Sequence, residues 1–181
     1  MREIFELRGQ LRELLDGLGF DVSTVDTGQS DNPALVEAVI CAGLYPRILR
    51  VEHRMRSGPR VTTKSGEEIH VHTSSTASDG MLRRSTRWIA FNDMAQTTTR
   101  VLVRDCTPID PRALMLLGGQ TVVKHAHGKV LIDGWIELRS AARVSCLLKE
   151  LKNQLHFAME EKFSDPSKNP QSISIFISLL S

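Results

Sequence analysis

The fold of this chain is decided by residues 48–76, which read ILRVEHRMRSGPRVTTKSGEEIHVHTSST. Three segments in this stretch are rich in β-branched residues and partly alternate between apolar and polar positions, which predicts short strands. Ser57-Gly58-Pro59 and Ser65-Gly66 separate them as turn signals. Two further strands are predicted in WIAFNDM (88–94) and RVLVRD (100–105). Short, basic strands that follow one another in this way indicate a small closed barrel.

Helices are predicted on both sides of these strands. Apolar residues recur at helical spacing from Ile4 to Leu18, and Asn32-Pro33 is a typical start for a second helix. ALMLLGG (113–119) predicts a short apolar helix, residues 120–138 a hairpin that turns at His127-Gly128, and residues 140–163 a long helix. The predicted fold class is therefore mainly β with flanking helices (α+β): a small OB-fold-like barrel, an N-terminal helix and a long C-terminal helix.

Three regions are expected along the chain. Residues 1–31 form the first helix and a linker, residues 32–163 the barrel domain with its flanking helices, and residues 164–181 a tail. The tail, for which disorder is one interpretation, begins as a loop and ends in the apolar run SISIFISLL. For that run, an extra edge strand and an unnatural extension both stay open. That run is too short to span a bilayer, so no membrane association is expected.

Charge is distributed unevenly along a chain whose net charge is only +2. Residues 47–104 contain 11 basic and 5 acidic side chains, a local net charge of +6. A localised positive field is typical of polyanion binders, although arginines that merely solvate one face of a sheet produce the same count. The three cysteines are far apart in sequence, which favours a reduced intracellular compartment, nucleus or cytoplasm.

The segment HVHTSST (70–76) is open to several interpretations. His70 and His72 share one face of a strand and can ligate zinc, but only if the fold brings further ligands such as His53, His125 or His127 to them. No elbow motif presents a serine for a Ser-His-Asp triad. Structural packing and turn capping form a third interpretation. Recognition is the fourth, because hydroxyl and imidazole groups donate hydrogen bonds to phosphates and base edges.

Motifs for nucleotide hydrolysis and common hydrolytic chemistry are missing from the sequence. It contains no GxxxxGK[ST], no GxSxG and no HExxH. We therefore expect this chain alone not to be an enzyme, and an independent hydrolase or metal enzyme is a remote alternative.

Several segments resemble the C-terminal OB-fold region of DEAH-box and RNA helicase A-like ATP-dependent RNA helicases, in unbroken order from about residue 32 to 163. They are NPALVEAVICAGLYPRILRV, EIHVHTSS, WIAFNDMAQTTTRVLVRDCTPIDPRALMLLGG and VLIDGWIEL. The first helix resembles the last helix of the helical-bundle domain that precedes the OB-fold in that family. Thr73 stands where the family usually has proline, and Phe91 where tyrosine is common.

The resemblance implies a non-catalytic, RNA-binding and regulatory domain of an RNA helicase. It implies no cofactor for this chain, since ATP and magnesium belong to the RecA-like motor domains. Expected partners are single-stranded RNA, the RecA-like and helical-bundle domains, and a protein activator. The residues expected to bind RNA are Arg54, Arg56, Arg60, Lys64, His72, Ser74, Ser75, Thr97, Thr98 and Arg100. The alternative is a protein-interaction module with incidental RNA contact, for which an exposed stripe of Leu7, Leu11 and Leu14 would speak.

Overall fold

A five-stranded closed barrel forms the centre of the computed structural model, which describes residues 2–22, 31–54, 58–75, 82, 85–98 and 100–168, without the side chains of residues 54 and 58. The strand order around the barrel is β1-β2-β3-β5-β4, in which β3 and β5 are parallel and the other neighbours antiparallel. The strands are β1 (Ile48–Arg54), β2 (Gly58–Thr62), β3 (Glu68–Val71), β4 (Trp88–Gln96) and β5 (Val101–Pro108). The predicted small barrel is confirmed.

Four helices and a second sheet surround the barrel in the part of the chain that is described. The helices are α1 (Arg2–Gly17), α2 (Pro33–Leu44), α3 (Pro111–Leu117) and α4 (Ala142–Ser164). The second sheet consists of β6 (Thr121–Lys124), β7 (Lys129–Ile132) and β8 (Ile136–Arg139). Only a hairpin was expected here. A second tight turn at Asp133-Gly134, where both residues have positive φ, adds the third strand.

Two hydrophobic cores share the barrel wall. One fills the barrel and includes Leu49 and Ile89. The other lies between the outside of the barrel, α2, α3 and the β6–β8 sheet, and includes Ile48 and Trp88. Because successive residues of a strand point to opposite faces, β1 and β4 contribute to both cores. This second core attaches the β6–β8 sheet to the barrel.

Helix α2 begins where the sequence predicts, at Pro33, whereas the buried faces of α2 and α4 differ in part from the predicted ones. The Asn32 side chain caps α2 by accepting hydrogen bonds from the backbone N–H groups of Ala34 and Leu35. The apolar pattern of α2 predicts a buried face of Leu35, Val36, Val39 and Ile40. Instead, the small residues Ala38 and Cys41 are buried while Val36 and Val39 are exposed. The predicted apolar face of α4 consists of Val144, Leu148, Leu151, Leu155 and Met159. Of these, Leu155 is buried as expected, whereas Val144 is exposed. Small side chains allow α2 to approach the barrel closely, which hydrophobicity alone does not predict.

Helix α1 buries none of its residues. Leu7, Leu11 and Leu14 are each more than half exposed. After the helix, the Phe20 ring makes an edge contact with Phe163 at the end of α4, with centroids 6.4 Å apart. Residues 23–30 of the expected linker and residues 169–181 of the expected tail lie outside the described residues. Within the described ranges, no helix has both the length and the apolar character needed to cross a bilayer.

A polar junction, formed by Tyr45, Asp133, Lys152 and the segment Gly118–Gln120, fastens the second sheet to α2 and α4. Asp133 accepts hydrogen bonds from the Tyr45 hydroxyl and from Gln120 N, the latter at 2.7 Å. The Lys152 ammonium donates to the carbonyl oxygens of Gly118, at 2.5 Å, and Gly119. Burial lowers the pKa of Lys152.

Candidate nucleic-acid interface

A tight turn follows β3 and carries the histidine-serine segment singled out in the sequence. His72 N donates to Val103 O at 2.8 Å, which extends the contact between β3 and β5 by one residue. Ser75 N then donates to His72 O at 2.9 Å and closes a four-residue turn. Thr73 occupies the second position of this turn, the position at which proline is favoured.

The His72 ring is held by Ser74. Ser74 N donates to His72 Nδ1 at 3.1 Å, and Ser74 Oγ lies 2.6 Å from the same nitrogen. A backbone N–H is always a donor, so Nδ1 accepts and the proton of the neutral ring is assigned to Nε2. The Nε2–H group is the ring donor that remains for a ligand.

Ser75 has a different position from its neighbours. Its side chain is only 4% exposed. Its hydroxyl oxygen accepts a hydrogen bond from Cys106 N at 3.1 Å. A buried hydroxyl in this position cannot touch a strand that passes over the surface, so we reassign Ser75 from direct contact to support of the turn.

The hairpin between β4 and β5 carries the second hydroxyl cluster. Thr97 Oγ1 donates to Arg100 O at 2.7 Å and accepts from Arg100 N at 3.0 Å, so this hydroxyl closes the hairpin. Thr98 and Arg100 are exposed. In the described part of the chain, Arg100 forms no salt bridge. Thr97 is exposed as well, but its hydroxyl is bonded within the hairpin, so Thr98 and Arg100 are the members of this cluster best placed to contact a ligand.

A shallow depression of about 270 Å³ brings this hairpin together with the start of β3. Its lining combines Glu67, Glu68 and His70 with Thr97, Thr98 and Arg100. His72 and Ser74 lie just beyond the other end of β3, about 7 Å further along the strand direction from His70. We call His70, His72, Ser74, Thr98, Arg100 and Arg104 the donor strip.

Arg104 was not among the expected site residues. It is exposed and lies two residues after Leu102, the residue of β5 that pairs with His70 of β3. Asp93 faces it on β4. The alternation of RVLVRD could have identified it, since Arg104 falls on the outward face of β5 together with Leu102.

Two of the remaining predicted cations, Arg60 and Lys64, have described side chains. Arg60 Nε donates to Glu68 Oε2 at 2.8 Å, so its charge is already paired. Lys64 is exposed at the tip of the β2–β3 turn. Arg56 and the side chain of Arg54 lie outside the described residues.

The described surface around the donor strip is close to electrically neutral. Four cations, Arg60, Lys64, Arg100 and Arg104, are accompanied by four carboxylates, Glu67, Glu68, Asp93 and Asp105. The expected strongly cationic barrel wall is therefore not found in this part of the surface. What the strip offers is an array of hydrogen-bond donors.

The residues of the structure that are described contain no group of three or more His, Cys, Asp or Glu side chains that could hold a metal ion. His53, which the sequence offered as a further zinc ligand, lies on β1. Its Nε2 atom is 2.8 Å from the carbonyl oxygen of Thr86.

Comparisons with known proteins agree with the barrel and its attached sheet. Residues 36–122 match the family model described as oligonucleotide/oligosaccharide-binding (OB)-fold. Residues 128–175 match the model described as the C-terminal domain in RNA helicases.

Curated relatives are similar over almost all of this chain. The ATP-dependent DNA/RNA helicase DHX36 of Homo sapiens is 28% identical over 176 residues, which cover 92% of this chain and 17% of that protein. The chloroplastic RNA helicase DExH4 of Arabidopsis thaliana is 28% identical over 169 residues, or 90% of this chain and 12% of its own length. The chain thus spans less than a fifth of these relatives. The barrel, the two family models and these relatives together confirm the resemblance of this chain to the C-terminal OB-fold regions of DExH/DEAH-type RNA helicases.

Proposed function

We propose that this chain is a non-catalytic accessory domain that binds single-stranded RNA beside a helicase motor. The observation that carries the proposal is the donor strip, which lies along β3 and β5 and ends at the β4–β5 hairpin. In OB-folds, the face of strands 2 and 3 and the loop between strands 4 and 5 are the usual oligonucleotide sites. ATP and magnesium would be held by the RecA-like domains of the helicase, inside the nucleus or the cytoplasm.

The chemistry of the donor strip suits contact with the RNA backbone. The His72 Nε2–H group, the Thr98 hydroxyl and the guanidinium of Arg100 donate hydrogen bonds to phosphate or ribose oxygens. The Ser74 hydroxyl, whose proton points to His72 Nδ1, accepts a hydrogen bond from a ribose 2′-hydroxyl. Base stacking contributes little, because aromatic residues make up only 5% of the chain. We expect modest affinity for the isolated domain, with little dependence on base sequence.

Fluorescence anisotropy of a labelled oligouridine tests this proposal. Removing one neutral donor with His72→Ala or Thr98→Ala should weaken binding by about threefold to tenfold, as for the loss of one hydrogen bond. Arg143→Gln, on the exposed face of α4, is the matched control and should leave binding unchanged. The absence of binding by the unaltered chain even at low salt would refute the proposal.

A second function, docking on helicase domains, is favoured by α1. Its Leu7, Leu11 and Leu14 form an apolar stripe that is exposed in the described structure. Exposed apolar surface of this kind marks interaction sites. The triple substitution of these leucines by glutamine should keep the unfolding free energy within about 0.5 kcal/mol for each change, because none of the three is buried. It should abolish co-sedimentation with a helicase core that lacks its C-terminal region. Retained co-sedimentation would count against docking through α1.

A further inference from the structure

A second groove lies on another side of the barrel from the donor strip. It has a volume of about 560 Å³ and runs between β1 and β8. Its lining includes Arg50, Arg87 and Arg139 together with Glu52, Glu137 and the buried Trp88. We call it the barrel–sheet groove.

Fixed contacts hold the floor of this groove. The Arg50 guanidinium lies 5.6 Å from the centroid of the Trp88 ring and donates to Trp135 O at 3.2 Å. Trp88 and Trp135 are themselves in edge contact, with ring centroids 5.7 Å apart. Arg50 is thus pre-organised across the boundary between the barrel and the second sheet, which lowers the entropy cost of using it in binding.

The groove has an excess of positive charge, unlike the near-neutral surface around the donor strip. Three arginines and Lys129, which pairs with Glu137, stand against the two carboxylates Glu52 and Glu137. Lys129 and Arg139 are direct neighbours across β7 and β8, an arrangement of like charges that weakens a sheet. Lys129, Arg139 and Arg50 also hold the pKa of Glu137 below its usual range, chiefly through the hydrogen bond from Lys129.

Two of these arginines are available for a ligand. Arg87 and Arg139 are exposed, and neither forms a salt bridge with a described side chain. Guanidinium groups match phosphate oxygens in geometry as well as in charge. A chain of phosphates is therefore better suited to this groove than a neutral ligand.

We propose that the barrel–sheet groove binds the phosphate backbone of the same RNA strand that the donor strip contacts, an inference that rests on the proposed function. The two surfaces are connected around the barrel by β2, where Arg60 lies opposite Glu52 of β1 and bonds to Glu68 of β3. Two strand spacings separate β1 from β3, about 10 Å. The strip supplies hydrogen bonds, and the groove supplies the charge that releases counterions.

The salt dependence of RNA binding separates these two contributions. Anisotropy titrations of a labelled oligouridine of about 12 nucleotides, a length within the range of OB-fold sites, are repeated over a tenfold range of salt. Arg87→Gln and Arg139→Gln should each reduce the slope of log affinity against log salt by about 0.7, so the affinity ratio across that range shrinks about fivefold for each. His72→Ala and Thr98→Ala should weaken binding without changing the slope.

The control is Arg143→Gln, which removes the same charge from the surface of α4. If it lowers the slope as much as Arg139→Gln, overall charge explains the effect and the groove proposal is overturned. It is also overturned, with the proposed function intact, if the strip variants weaken binding while Arg87→Gln and Arg139→Gln change neither affinity nor slope. If the unaltered chain binds no RNA, both proposals fail. Displacement of RNA by polyglutamate at equal charge concentration would instead assign the groove to acidic peptides.

Discussion

Gly119 occupies a crowded position in the polar junction. A Cβ atom built on it would overlap the carboxylate of Asp133, which bonds to Gln120 N and the Tyr45 hydroxyl. We expect Gly119→Ala to lower the free energy of unfolding by about 1–3 kcal/mol, the usual cost of overpacking. Urea unfolding measures this change.

Gly43→Ala is the matched control, since a Cβ atom at Gly43 in α2 meets nothing within 4 Å. It should be neutral or stabilising by up to about 1 kcal/mol, because alanine is the better helix residue. If both variants lose stability equally, the contact with Asp133 does not determine the need for glycine at position 119.

Tyr45 offers a direct test of the polar junction, because it is the only tyrosine in the chain. Burial, followed by the hydrogen bond to Asp133, raises the pKa of Tyr45 from 10.0 to about 12. The ultraviolet absorbance of the phenolate should therefore rise with a midpoint near pH 12 in the folded protein. Asp133→Asn should move the pKa back only in part, because burial is the larger cause. A midpoint near pH 10 in the folded, unaltered protein would contradict the junction.

The same shift has a consequence for stability. Because the pKa of Tyr45 is higher in the folded state, its contribution to stability is complete below pH 10 and is lost as the pH rises towards 12. The difference in unfolding free energy between the unaltered protein and Tyr45→Phe should accordingly narrow across this window.

Single residues also mark where sequence reasoning about the site reached its limit. The hydroxyl clusters around Ser74 and Thr98 could be found from composition, because polar residues concentrate there. The hydrogen-bond partner of each hydroxyl could not, because Ser75 bonds to Cys106 N, which only the barrel brings near, and Thr97 bonds to the backbone of Arg100 across the hairpin. The near-neutral charge of the surface around the donor strip also depends on the folded structure, because the pairing of β2 with β3 sets Glu68 beside Arg60.

At the scale of elements, local signals predicted the strands and turns well. The turn signal Ser65-Gly66 is matched by a positive φ of 86° at Gly66, which favours glycine. Alternation predicted β3 because one face of this strand is buried and the other exposed. The buried face of α2 was mispredicted, since close packing of Ala38 and Cys41 decided it. Strand β8 was merged with β7 because the Asp133-Gly134 turn was overlooked.

The turn after β3 supports a prediction about backbone freedom. Thr73 occupies the second position of the turn closed by Ser75 N and His72 O, and His72 directly follows the extended strand. Proline is favoured at this position of a turn, and it requires an extended residue before it, which His72 provides. Because proline restricts the unfolded chain, Thr73→Pro should stabilise the protein by about 0.4–1 kcal/mol. Thermal unfolding of both proteins measures the change, with Thr73→Ala as the control that lacks the ring. A midpoint lower than that of Thr73→Ala would mean that the turn has another geometry.

At the scale of the whole molecule, the two matched regions form one structural unit. The OB-fold match ends at residue 122 and the helicase C-terminal match begins at 128, so their boundary falls within the paired strands β6 and β7. The second core crosses the same boundary, because Trp88 of the barrel packs in one cluster with Ile132 and Ile136. The predicted domain from residue 32 to 163 should accordingly unfold as one unit, although α1 shares none of its buried surface.

A truncation after Gln120 tests this unity. It removes Val130, Ile132, Ile136 and Leu138 from the second core, and their burial is worth about 6–12 kcal/mol together. That loss is comparable to the total stability of a typical domain, about 5–15 kcal/mol, so the truncated chain should show no cooperative unfolding.

A chain that begins at residue 31 lacks only the α1 region and should unfold at the midpoint of the full chain. In that control, far-ultraviolet circular dichroism and the fluorescence of Trp88 and Trp135 should follow one coincident transition. Cooperative unfolding of the chain truncated after Gln120, or separate transitions in the control, would mean that the barrel folds independently of the sheet packed against it.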